Sequence, residues 1–190
     1  MNNYHSDESY KGVVFKGNKL LPSDFEECNF QNCDLSESDL SSCNFIDCQF
    51  DSCNFSGAKI LKTSFQTCMF KNCKILGLAF ENCSDFAFSP SFENCNLQHS
   101  SFYACNFKFA HFRSCNLREV DFTEAKLKEA NFEASDLDGA VFFQTELGGA
   151  NFTAATNFNV DPNQNQIKGA IFDRANLEGL LHNYSIKIRE

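Results

Sequence analysis

The stretch Cys28–Phe55, CNFQNCDLSESDLSSCNFIDCQFDSCNF, returns the same three-part unit every five residues: a small residue, a polar one, then Phe or Leu. Working outward, the large residue recurs at every fifth position from Phe15 through Leu20 and Phe25 to Phe80. A second block keeps the same period from Phe92 through Leu97 and Phe102 to Phe152. Each of these positions is Phe, Leu or Ile, a repeated use that explains the 23 Phe among 190 residues. The 11 cysteines, from Cys28 and Cys33 to Cys105 and Cys115, all occupy the slot two residues before the large one, Cys83 with Asp85 in the large residue's place.

A period of five fits neither an α-helix, at 3.6, nor a simple strand, at 2. Five residues to a side and four sides to a turn give a coil of about 20 residues, with successive coils bonded like parallel strands at about 4.8 Å. Residues 20 apart then stack. That spacing places Phe25 under Phe45 and Phe65, and Phe30 under Phe50 and Phe70. In the second block it aligns Phe92, Phe112, Phe132 and Phe152, with Leu97, Leu117 and Leu137 in the next column. Like stacks on like, which favours four sides over three. Burial of these rings, at about 25 cal/mol per Å² of apolar surface, is the expected main source of stability.

The pattern A(D/N)Lxx, seen in Ala125–Phe142 (AKLKEANFEASDLDGAVF) as well as in the Cys-rich run, resembles the pentapeptide-repeat family over Val13–Phe152. The resemblance implies an all-β, right-handed quadrilateral β-helix of about seven coils. Large and small residues would point inward, leaving three outward positions per repeat. On this reading residues 1–12 are a polar N-terminal segment, 13–155 form the solenoid and 156–190 form a separate C-terminal segment.

The register breaks once. Phe80 and Phe92 are twelve residues apart, two more than two repeats, and ENCSDFAFSPSF places Asp85 where a core residue belongs. Pro90 removes a ladder donor, so a bulge or short loop is expected over 84–91. It is either a tolerated insertion or a recognition loop, and Asp85, Phe86 and Phe88 are its candidate contact residues. Phe109 and Phe143, which fall in outward slots, complete the candidate partner-binding set.

After Phe152 the repeat fades. Asp173 can cap an α-helix near 174–184 whose Leu177, Leu180, Leu181 and Tyr184 share one face, with Phe172 and Leu177 as a hydrophobic staple. Alternatively Phe172 and Leu177 are two further repeats, since both keep the register. The tail also resembles the quinolone-resistance and microcin-immunity branch of the family, in Thr156-Asn157-Phe158, Asp161-Pro162, Asn165, Ile167-Lys168 and the Leu-Leu pair, with gapless spacing to Ile188. That resemblance implies a C-terminal two-fold dimer, with Phe158, Phe172, Leu177, Leu180 and Leu181 as its candidate interface.

No catalytic, cofactor or metal site is expected. Cysteines five apart face different sides of a square, and cysteines 20 apart stand parallel, too far between Cβ atoms for a disulfide. They read as inert buried thiols. His5, His99, His111 and His182 have no nucleophile at hand, and neither a phosphate loop nor HExxH occurs. An odd cysteine count without a signal peptide, and no apolar run long enough for a membrane span, lead to a cytoplasmic expectation.

The net charge is −9. Outward acid either keeps the rod solvated or imitates nucleic acid, and its sign excludes direct DNA binding. With the branch resemblance, this gives an expected DNA mimic that occupies a type II topoisomerase, DNA gyrase, and modulates it or protects it from quinolones or peptide toxins. The alternative is a non-catalytic protein-interaction scaffold with an unrelated cytosolic partner.

Overall fold

The computed structural model describes residues 3–184, 186 and 187; Met1, Asn2 and Ile188 of the expected end segments lie outside the described residues. The chain winds as a right-handed parallel solenoid of about eight turns. The first side opens with β1 (Asn3–Ser6), β3 (Ser23–Glu26), β5 (Asn44–Ile46) and β7 (Ser64–Gln66), which form one four-stranded parallel sheet. The second side carries β2 (Ser9–Lys11), β4 (Asn29–Gln31), β6 (Gln49–Asp51), β8 (Met69–Lys71), β9 (Ser91–Glu93) and β10 (His111–Arg113). Farther along, β11 (Asn151–Phe152) pairs with β12 (Ile171–Phe172). The third and fourth sides join through single parallel bridges, such as Asp34 to Asn54 and Asp39 to Lys59.

The core is the stack read from the period. On the second side Tyr10, Phe30, Phe50, Phe70, Phe92, Phe112, Phe132, Phe152 and Phe172 form one unbroken column with ring centroids 4.7–5.4 Å apart. Neighbouring columns meet edge to face, as Phe45 does with Phe50 at 5.5 Å. Both geometries suit the ring quadrupole.

Each corner needs a residue two places after the large one in the left-handed region. Glu27, Asn32, Glu37 and Ser42 have φ of 54°, 53°, 57° and 63°. For non-glycine residues this conformation costs about 1–2 kcal/mol. The ladder offsets the cost, because the N–H of each such residue bonds across to the next coil, as Glu37 does to Ser56 O at 3.0 Å. Where the residue before the large one is Asp, Asn or Ser and the side is not an extended strand, it closes the corner on the outside. Asp34, for example, accepts from the Ser36 hydroxyl at 2.6 Å and the Ser36 N–H at 3.0 Å. Those two bonds hold the Asp34 carboxyl below the usual carboxylate range.

The structure corrects three expectations. Residues 3–12 are not a separate polar segment but the first coil, whose inward positions are His5, stacked on Phe25 at 4.8 Å, and Tyr10. A polar pair stands there in the place of two Phe. Tyr10 donates to Glu8 at 2.5 Å, and the His5 Nδ1 lies 3.1 Å from the Tyr10 hydroxyl.

The tail helix is short and of the tight 3-10 type rather than α, over Arg174–Leu180 and His182–Tyr184. Asp173 does not cap it. Its carboxylate accepts from the Ala154 N–H at 2.6 Å, bonding back to the coil before it.

Phe172 is no staple either. It is the last ring of the second-side column, so the repeat continues to that point and the solenoid does not stop at 155. Leu177, the other half of the expected staple, lies in the 3-10 segment.

Candidate interaction surfaces

At the register break Ala79 still bridges Ser101 and β8 pairs with β9, so the added residues are absorbed by the first side alone. The loop enters through a short 3-10 turn, Phe80–Asn82, and returns through an antiparallel bridge between Gln66 and Phe88. Phe88 therefore turns inward. It sits 4.9 Å from Phe107 and 6.1 Å from Phe80, half-buried against the core in the gap of the first-side column. Phe86, 73% exposed, and Asp85 remain on the surface. Phe109 and Phe143 are outward as expected, at 61% and 43%.

A cleft of about 510 Å³ opens beside the loop, lined by Phe80, Glu81, Cys83, Asp85, Phe88 and Cys105 among others. Cys83 and Cys105 are the two cysteines that are only half-buried. Burial pushes the Cys105 thiol up to about 12, and Cys83 rises for the same reason, so neither is a nucleophile near neutral pH. Several deeper thiols donate to backbone carbonyls. Cys48 Sγ lies 3.4 Å from Phe25 O, and Cys53 Sγ lies 3.3 Å from Phe30 O.

A second cleft, of about 570 Å³, lies where the tail crosses the last coils, with Asp138, Phe143, Asn157, Asp161 and His182 on its wall. Among the described residues no group of three His, Cys, Asp or Glu is set to hold a metal ion. Nor is any helix among them long and apolar enough to cross a membrane.

The candidate dimer residues separate. Phe158 is buried, at 2%, inside its own chain beneath Gly179, where an added Cβ would stand 2.4 Å from the Phe158 ring and carbonyl. Phe158 is thus removed from any interface. Phe172 and Leu180 pack against the core, and Leu181 is half-buried. Leu177 is outward, at 41%, with Ile171 and Tyr184 also exposed nearby in sequence.

The inward Phe and Leu ladder, the small inward residue two places before each, and the 20-residue coil are matched by a family model described as "Pentapeptide repeat region", over residues 23–85 and 77–152. The chain belongs to the pentapeptide-repeat family. No curated protein matches it. Among solved structures of pentapeptide-repeat solenoids, this member is similar to full-length QnrB1, a plasmid-mediated fluoroquinolone resistance protein. The two share 20% identity over 97% of this chain and 100% of that one, with a TM-score of 0.48. It is also similar to HetL, a pentapeptide-repeat protein involved in heterocyst differentiation regulation in the cyanobacterium Nostoc. Here identity is 18% over 90% of this chain and 85% of that one, with a TM-score of 0.43. At these values the likenesses say nothing about partners.

Sequence reasoning missed one surface property, the distribution of charge over the four sides. On the first side, the four coils before the loop carry Asp7, Asp24, Glu26, Glu27 and Asp47 outward with no Lys or Arg. The four coils after it carry Lys108, Lys126, Lys128 and Lys168 with Glu129 and Glu146. The signal was available by sorting charges at intervals of 20, with two residues added across the break.

Proposed function

We propose that this pentapeptide-repeat protein is a non-catalytic binding rod whose partner is a basic, DNA-holding protein surface, with a type II topoisomerase, DNA gyrase, as the first candidate. The observation that carries this reading is the acidic half of the first side. Five carboxylates along one parallel sheet, with no Lys or Arg in the same four repeats, make this the most acidic stretch of any side of the rod. A rigid row of carboxylates can replace phosphates in a basic groove and release the groove's counterions as DNA does. The resemblance of the tail to the quinolone-resistance and microcin-immunity branch supports the choice of gyrase. The nearly balanced second side, which sets Glu8, Asp51, Glu93, Glu133 and Asp173 against Lys11, Lys71, Arg113 and Arg174, favours a footprint confined to one side over a wrapped rod.

The experiment is a gyrase supercoiling assay with the purified chain at low micromolar concentration. The expected result is inhibition, or relief of quinolone inhibition, that weakens with added salt and is lost in the triple variant Glu26→Lys, Glu27→Lys, Asp47→Lys. No effect of the native chain on supercoiling or on quinolone sensitivity would overturn gyrase as the partner.

A further inference from the structure

The fourth side ends one level before the others. Its parallel bridges run from Ala79 to Ser101, Ser101 to Asp121 and Asp121 to Val141, and stop there among the described residues. The first, second and third sides each continue, through Glu146 to Gln166, β11 to β12 and Asp136 to Thr156. The chain keeps its register past the gap, since the Gln144 N–H bonds Gln164 O at 2.9 Å and the Thr145 N–H bonds the Asn165 side chain at 3.0 Å. Between these points residues 161–164 close on themselves as a turn. The Asp161 carbonyl takes the Gln164 N–H at 3.1 Å, and so is not paired with Phe142. One coil earlier the Phe122 N–H bonds Val141 O and the Glu119 N–H bonds Asp138 O, both at 2.9 Å. The corresponding N–H groups of Phe142 and Gly139 have no acceptor among the described residues, although Phe142 is only 6% exposed. Main-chain donors left over in this way are satisfied by water or by a ligand.

The cleft of about 570 Å³ lies at this opening, with Gly139 and Phe142 in its lining. Its size falls among small-ligand sites, which run from about 300 to 1,000 Å³. The residues around it limit the ligand's charge. No Lys or Arg lines the cleft and two aspartates do, so an anion is repelled. Both aspartates are already engaged. Asp138 meets Arg118 at 2.5 Å, and Asp161 accepts from the Asn163 N–H at 2.8 Å and the Asn183 amide at 3.0 Å. A cation would have to displace these partners. Free hydrogen-bonding capacity is neutral: the two main-chain N–H groups, and the side chains of Asn159, Gln164 and His182, which have no hydrogen-bond partner among the described residues. The amides donate and accept, and the imidazole does either according to its tautomer. Val141 and Phe143, both lining the cleft and both more than two-fifths exposed, add an apolar patch with an aromatic ring.

We infer that this cleft binds a neutral sugar, a mono- or disaccharide, whose ring stacks by its C–H face on Phe143 and whose hydroxyls bond Asn159, Gln164, His182 and the Phe142 N–H. A hydroxyl both donates and accepts, which matches a wall that mixes N–H donors with amide oxygens. Neighbouring ring hydroxyls offer such groups in pairs, the arrangement that a planar amide grips with both of its ends. The polar groups come from three separate segments, 139–142, 159–164 and 182, and so surround the opening. That suits hydroxyls projecting on all sides of a ring better than the one hydrogen-bonding edge of a nucleobase. The site stands on the fourth side and the tail, apart from the acidic first side, and does not rest on the gyrase reading.

Amide NMR of the full chain, titrated in turn with glucose, galactose, mannose, N-acetylglucosamine, cellobiose, lactose and maltose, tests this. At least one sugar is expected to move the Gly139 and Phe142 amide signals saturably, with a dissociation constant of about 5 mM or tighter. Phe143→Ala removes the stacking ring and is expected to weaken that sugar at least about tenfold. The double variant Asn159→Ala, Gln164→Ala is expected to weaken it by about tenfold or more. Phe109→Ala, which removes an exposed ring from the first side, should leave the affinity unchanged. All four positions are exposed, and matching thermal unfolding curves establish that the variants fold. Absence of a saturable shift with every sugar would overturn the inference. So would adenosine or uridine moving the same amides where the sugars do not, which would make the ligand a nucleoside. A sugar that binds the Phe143→Ala chain as well as the native one would place its site elsewhere and overturn it too. The readout is local to the cleft, so a wrong choice of gyrase leaves it unaffected.

Discussion

The coils before the loop and the coils after it share one period and one core but turn their corners differently. After the loop, most small inward residues are Ala or Ser, and the corner closes with its own backbone. Ala125 N–H bonds Phe122 O at 3.1 Å, Ala130 bonds Leu127 O at 3.0 Å and Ala155 bonds Phe152 O at 3.0 Å. Before it, the corners that leave the first and second sides hold Cys. There the carbonyl of the large residue takes its proton from the thiol one coil on, as Phe25 O does from Cys48 and Phe45 O from Cys68, both at 3.4 Å. The first and second sides run as strands of three or four residues where Cys turns the corner. Where Ala does, they are mostly single bridges, such as Lys126 to Glu146. The small residue and the side on which its corner lies together decide how a buried carbonyl is satisfied, since Cys43 and Cys105 also close on Leu40 O and Phe102 O through their own N–H, both at 3.0 Å. Nine of the eleven cysteines are here a row of weak, buried donors, and Cys83 and Cys105, half-buried beside the loop, are the exceptions.

The first way to break this comparison is at the core, where the two halves should behave alike. Phe45→Ala and Phe132→Ala each remove a fully buried ring with stacked neighbours above and below. Each is expected to cost about 3–5 kcal/mol in urea unfolding. A markedly cheaper Phe132 variant would mean that the Ala-rich half is not packed as tightly as the Cys-rich one.

The capped end comes next. Gly179→Ala drives a Cβ into the Phe158 ring and carbonyl at 2.4 Å, and Val160 N–H loses its 2.9 Å bond to Gly179 O if the segment lifts. The expected loss is about 1–3 kcal/mol, accompanied by faster amide exchange confined to the tail. Uniform exchange along the rod would show instead that the cap holds the whole solenoid.

The corner chemistry itself is a smaller effect. Cys48→Ala leaves Phe25 O without its donor and should cost about 1 kcal/mol. Cys48→Ser should retain most of the stability, since Thr63 and Ser135 already make the same bond at 2.9 Å and 2.6 Å. Equal losses for the Ala and Ser variants would reduce the thiol to a space filler. In thiol titration of the native chain, Cys83 and Cys105 should react first and slowly, because they alone are half-buried, and the rest only after denaturation. Smallest of all, Asp47→Ala, at an exposed corner, should change stability by less than about 0.5 kcal/mol.

The sequence by itself determined the inside of this protein. A large residue every fifth position, with a small one two places before it, leaves a single way to keep both out of water, and the columns follow by counting in twenties. It also located the loop, because a two-residue excess cannot be hidden in a ladder whose every coil pairs with the next.

Tertiary structure decided what the period does not encode. His5 and Tyr10 break the Phe and Leu rule, yet they continue the stack because their rings lie flat on Phe25 and Phe30. Phe88 has the sequence appearance of a surface loop residue, and the vacancy above Phe65 draws it inward. Phe158 and Leu177 look alike in a string of apolar residues. The close approach of Gly179 buries the first and leaves the second outside. The sorting of charge on the first side arises only when residues far apart in sequence are brought onto one plane, which the winding of the chain alone achieves.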